Sequence, residues 1–132
     1  MNKRIVISGI VLIVTAIILG AFGAHALKDI LSTKSLNSFE VGVRYQMYHG
    51  IAFLILGLNA KSFNFDLRTV FRLILAGVVL FSGSIYGLAM QEPLHVSMKF
   101  FGPITPIGGV LMIAGWLFLL FRIIKQKENG TV

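Results

Sequence analysis

Tyr45, His49, Ser82, Ser84 and Tyr86 are the side chains in this sequence with the chemistry to relay a proton or hold a polar ligand. Tyr45 and His49 stand four residues apart, which puts both on one face of a helix. Ser82, Ser84 and Tyr86 crowd around Gly83 and Gly87, where two helices can approach closely. Glu40 and Arg44 are also four apart, with the acid first, the favourable order for an ion pair. The same groups serve equally well as hydrogen bonds between helices. Nothing in their spacing demands catalysis: there is no acidic pair, no Ser-His-Asp set and no G-x-S-x-G. With no cysteine, thiolate metal sites and cysteine nucleophiles are excluded. His25, His49 and His95 are dispersed, with no H-x-x-x-H spacing, so even with Glu40 they make a poor metal set. No metal, no cofactor and no enzyme activity are expected.

The elements that must carry these residues are apolar. The 132 residues suffice for one domain. Hydrophobic residues make up 56% and charged residues 13%, where a soluble domain carries about 25% charged. The mean hydropathy of +0.86 agrees. Four apolar segments stand out: Ile5 to Leu27, a second ending at Leu58 and opening near Phe39, Leu73 to Met90, and Ile104 to Ile124. Each can cross a hydrocarbon core of ~30 Å with ~20 helical residues. In lipid the backbone must satisfy itself, so such segments should be helices. The expected fold is all-α: a four-helix transmembrane bundle, with helices at about residues 5–27, 38–58, 72–90 and 104–124. Asn37 followed by Glu40 reads as the cap of the second helix.

The formal charge of +7 first suggests nucleic acid. The basic residues instead lie in short segments between apolar runs, as in membrane-protein loops, so no nucleic-acid partner is expected. Lys3, Arg4, Lys61, Arg68, Arg72, Arg122, Lys125 and Lys127 fall on one side, against Lys28, Lys34, Arg44 and Lys99 on the other. By the positive-inside rule both termini are cytoplasmic, in a cell (inner) membrane. Residues 1–26 do imitate a secretory signal, ending in Ala24-His25-Ala26. Their apolar run exceeds the usual ~7–15 residues of a signal core, so the first helix is expected to stay. Asn129-Gly130-Thr131 has the form of a glycosylation site, which a cytoplasmic tail makes irrelevant.

The motifs GAFGAH (20–25), RYQMYHG (44–50), LFSGSIY (80–86), TPIGG (105–109) and GW (115–116) occur in that order across almost the whole chain. Together they resemble the YgdD/YwdK-type small membrane proteins, domain-of-unknown-function family 423. The resemblance implies a four-helix integral membrane protein of a bacterial inner membrane and implies no reaction.

Rise per residue places the polar groups. Measured from the positive side, His49 and Ser82 lie ~15 Å deep, Tyr45 and Tyr86 ~21 Å, Arg44 ~22 Å, Thr105 ~26 Å and His25 ~31 Å. A polar cluster of His25, Arg44, Tyr45, His49, Ser82, Tyr86 and Thr105 is therefore expected in the outer half of the bundle. Glu40 is expected to neutralise Arg44. Trp116, in the inner half, reads as bulk packing. Gly20, Ala24, Gly83, Gly87, Gly108 and Gly109 are the expected helix-packing positions, by small-residue spacing. Three function classes follow. The first is a structural or accessory membrane protein, with the lipid bilayer and a homo-oligomer or another membrane protein as partners. The second is a small-solute or proton-linked transporter or channel acting as an oligomer. The third, an enzyme at the outer leaflet, lacks every usual motif.

Overall fold

The computed structural model describes residues 1–126; Lys127 and the Asn129-Gly130-Thr131 sequence lie outside the described residues. Every regular element among those residues is helical, with no strand. Five α-helices follow in order: α1 (Lys3–Ala24), α2 (Thr33–Leu58), α3 (Arg68–Ala89), the single turn α4 (Gln91–Leu94) and α5 (Ile104–Lys125). Short 3₁₀ turns at Ala60–Ser62 and Lys99–Phe101 complete the connections. Three helical segments are long and apolar enough to cross a membrane: Lys3–Ala24, Arg68–Ala89 and Lys99–Lys125. α2 is longer than any of these single helices, but Arg44, Gln46 and His49 dilute its apolar character.

Local chemistry sets the boundaries. Asn2 opens α1 by accepting from the Ile5 amide. Its own amide donates to the Gly57 carbonyl at 2.7 Å, tying the start of α1 to the end of α2. α2 begins at Thr33, not near residue 38, because Ser32 rather than Asn37 is its cap. The Ser32 hydroxyl accepts from the Ser35 amide at 3.2 Å. α3 begins at Arg68, four residues before Arg72, where Asp66 accepts from the Arg68 amide at 2.8 Å and pairs with its guanidinium. That earlier start raises Ser82 and Tyr86 by ~6 Å along the helix. Pro103 and Pro106 flank and occupy the first turn of α5, where no intrahelical N–H is needed.

α1 packs on α2, α3 packs on α5, and α2 packs on α3. The two outer seams are built alike. A Cβ added at Gly9 would lie 2.8 Å from the Gly50 carbonyl, and one at Gly57 2.9 Å from the Val6 amide. In the second hairpin, a Cβ at Gly77 would lie 2.8 Å from the Gly108 carbonyl, and one at Gly115 3.2 Å from the Ile74 amide. Only glycine permits backbones this close. The packing positions therefore differ from those expected by spacing. Gly108 is in tight contact, and Gly87 lies under the Phe101 ring, where a Cβ would be 2.7 Å away. Gly20 makes an ordinary contact with Val43, and Gly109 barely reaches Phe81, at 3.9 Å. Gly83 has nothing within 4 Å, and Ala24 is exposed. Gly83 was misplaced because the buried stripe of α3 runs through Ser82, Ile85 and Ala89, which turns Gly83 outward.

The main core joins Ile5, Phe53, Val70, Ile74, Val78, Met112 and Leu119. A smaller cluster of Leu27, Leu31, Phe39 and Ala89 closes the other end. The outward faces of α1 and α5 remain apolar: Ile7, Val11, Val14 and Ile18 on one, Val110, Ile113, Leu117 and Leu120 on the other.

Candidate functional site: an interhelical polar layer and an outer cleft

Between the two apolar clusters the buried residues turn polar: Gln46, His49, Ser82 and Ser84. Each bonds across or along helices. The Gln46 amide group donates to the Leu12 carbonyl at 3.0 Å and the Thr15 hydroxyl at 2.6 Å, both on α1. Its carbonyl oxygen accepts from the Tyr86 hydroxyl of α3 at 2.7 Å. One side chain thus bridges three helices. The Thr15 hydroxyl donates to the Val11 carbonyl at 2.7 Å, so it is satisfied within its own helix. Ser82 donates to the Gly42 carbonyl at 2.7 Å, from α3 to α2. The Ser84 and Thr105 hydroxyls meet at 2.6 Å, linking α3 to α5.

His49 closes the fourth contact. Its Nδ1 lies 2.7 Å from the Tyr45 carbonyl, and the Trp116 indole N–H donates to its Nε2 at 3.0 Å. A carbonyl only accepts and an indole N–H only donates. These partners together require the neutral imidazole with its proton on Nδ1. Both ring nitrogens are occupied, so the ring has no free position for a ligand or a relayed proton.

The seven expected site residues are thus divided. Tyr45 and His49 stay together, their rings stacked at 6.4 Å, and Tyr45 also meets Phe81 at 5.0 Å. Ser82, Tyr86 and Thr105 each join a separate interhelical contact. His25 caps the end of α1 through its backbone, and its side chain is exposed. Arg44 is exposed and forms no ion pair with Glu40. Thr15 and Trp116 lie outside the expected cluster, as does Gln46, although the sequence marks it as a residue that has to face the bundle. Gln46 was detectable as an amide within a segment that has to cross lipid. Trp116 gave no signal, since its partner lies 67 residues away.

Beyond Thr105 the helices part into a cleft of about 660 Å³, bounded by Ser32, Lys34, Ser38, Val41, Gln91 and Glu92 among others. Glu92, on α4, reaches back to the start of α2. Its carboxylate accepts from the Ser32 amide at 3.0 Å and from the Ser32 and Ser35 hydroxyls at 2.9 Å each. The Ser32 amide, then the Ser35 and Ser32 hydroxyls, hold this carboxyl below its ordinary range. It is the acidic residue that the N-terminus of a helix attracts, supplied from α4, 60 residues along the chain. Among the described residues no three His, Asp or Glu side chains converge on a metal-sized site.

Residues 19–109 match the family model described as "Protein of unknown function (DUF423)". This chain belongs to the DUF423 family. The matched span of this DUF423 chain contains Gln46, His49, Ser82, Ser84, Tyr86 and Thr105, and with them most of the polar layer. The chain is similar to a UPF0382 membrane protein of Staphylococcus epidermidis, 41% identical over 93% of this chain and 97% of the relative. A UPF0382 membrane protein of Haemophilus influenzae is 41% identical over 83% of this chain and 85% of the relative. Those names place the DUF423 chain among membrane proteins and carry no activity. No solved structure matches it.

Proposed function

We propose that the protein is a structural or accessory component of the cell (inner) membrane. In this reading it is a four-helix transmembrane bundle with both termini cytoplasmic, and its outer-half polar groups hold its own helices together. One observation carries the reading. Gln46 spends its amide on α1 and α3 at once, and His49 has both nitrogens engaged. Membrane helices lack a hydrophobic drive toward one another, so packing and such bonds must supply it. The lysine and arginine distribution supports the orientation. The chain has no native cysteine, so single cysteines report topology cleanly. In right-side-out vesicles an impermeant maleimide should label Ser97→Cys, and should reach Ser62→Cys only after lysis. The reverse pattern would overturn the orientation.

The transport alternative draws on the outer cleft, which opens beside Thr105 and is lined by hydroxyls. Proteoliposomes separate the two readings. A proton or solute flux that depends on the protein and disappears in Thr105→Val would favour transport. Flux equal to that of empty liposomes favours the structural role.

A further inference from the structure

A second, smaller groove of about 220 Å³ runs between the end of α1 and the start of α2, lined by Gly20, Gly23, Phe39, Glu40, Val43 and Arg44. Its floor is apolar. Gly20 and Gly23 keep it open, since a Cβ at Gly23 would already lie 3.2 Å from the Phe39 ring. Its rim carries two opposite charges that do not pair with each other. Both side chains are exposed.

Their depth matters. Gly20 faces Val43 and lies sixteen residues above Arg4, ~24 Å along α1. Arg44 is therefore inside a ~30 Å hydrocarbon core, on its outer edge. A guanidinium there needs an anion, and the nearby Glu40 carboxylate does not pair with it. Helical side chains lean toward their own N-terminus, which for α2 is the nearer surface. Glu40 lies one turn, ~6 Å, closer to that surface. The sequence of groups from the core outward is apolar groove, cation, anion.

We propose that this groove holds a phosphoethanolamine phospholipid, with an acyl chain on the glycine floor, the phosphate on Arg44 and the ammonium on Glu40. A zwitterionic lipid presents acyl chain, phosphate and ammonium in that order. Each charge of the pair then meets its opposite. A phosphatidylglycerol would satisfy Arg44 but offer Glu40 only neutral hydroxyls in place of a cation. The apolar floor selects a lipid over free phosphate.

This assignment rests on the membrane-spanning reading of α1 and α2. Native mass spectrometry of the intact protein, offered equal amounts of dioleoyl phosphatidylethanolamine and phosphatidylglycerol, tests it. The ethanolamine lipid should be retained about three-fold over the glycerol lipid, the size of one partly exposed ion pair. Glu40→Gln should erase the preference. Arg44→Gln should reduce both adducts. Soluble phosphoethanolamine in excess should not displace the lipid. Equal retention by wild type, a preference that survives Glu40→Gln, adducts unchanged in Arg44→Gln, or displacement by soluble headgroup would each overturn the assignment. Carbonate extraction of membranes that contain the protein separates the two readings. A chain released from the membrane refutes the spanning reading, whereas a retained chain without lipid preference refutes the lipid site alone.

Discussion

Replacing Gln46 by leucine removes the side chain that touches three helices while keeping its approximate size. The Leu12 carbonyl and Thr15 hydroxyl lose a donor, but both keep partners within α1. The Tyr86 hydroxyl loses its acceptor. Interhelical hydrogen bonds in membrane proteins average ~0.6 kcal/mol and reach ~1.7. Two such links, to α1 and to α3, set the loss at ~1–2 kcal/mol. For a chain of this size that corresponds to a Tm lower by about 4–10 °C. Thermal or mixed-micelle unfolding in one detergent measures it. Tyr86→Phe deletes the other end of the same bond. If the bond is real, the double variant should cost less than the two singles together, by ~0.5–1 kcal/mol. Additivity within ~0.3 kcal/mol would show that Gln46 and Tyr86 are not coupled, and the polar layer would lose its role as the fastener between α2 and α3.

Gly77→Ala sets a Cβ 2.7 Å from the Met112 amide and 2.8 Å from the Gly108 carbonyl, backbone that cannot step aside; a loss of ~1–3 kcal/mol is expected by thermal unfolding. Gly83→Ala meets nothing within 4 Å and should raise stability by up to ~1 kcal/mol through helix propensity, the opposite sign for the same substitution. The Glu92 carboxyl is held low, so its stabilising contribution is complete above its unfolded value and fades as pH falls through its folded value. Glu92→Gln should therefore speed amide exchange at Ser32–Ser35 near neutral pH, and the difference from wild type should close in acid. Trp116 is the single tryptophan, so its indole N–H resonance reports the His49 bond directly. His49→Leu should move that resonance upfield, and an unmoved signal would contradict the contact.

Apolar runs made α1, α3 and α5 legible, because length and hydropathy suffice when lipid forbids alternatives. The start of α2 was not legible. Its cap is Ser32, and the acid that completes it, Glu92, comes from 60 residues away. Small-residue spacing showed that helices approach closely but not which face does so. Gly83 and Gly87 share a helix face, yet only Gly87 is covered, by Phe101 from the connection before α5, and Gly83 meets open space. Among the polar residues of α2, Gln46 and His49 are the ones buried against protein, whereas Tyr45 and Tyr48 lie exposed. The partners of Gln46 and His49 were not legible, since Tyr86 and Trp116 are chosen by how the hairpins dock. The expected Glu40–Arg44 pair shows the limit of local spacing: four residues bring two charges within reach without making them meet.

The repeated glycine register has a mechanical consequence. In each hairpin, backbone touches backbone, and neither helix can slide without collision. The seam between α2 and α3 is held instead by side chains: Phe53 packs into the core with Val70, Ile74 and Val78, and Ser82 and Tyr86 add hydrogen bonds. The molecule is thus two hairpins, each locked backbone to backbone, joined to one another through side chains and the short connection after Leu58. A side-chain interface can be repacked by substitution, whereas the two glycine seams admit no added atom, so variation between relatives should concentrate at the α2–α3 interface rather than within either hairpin.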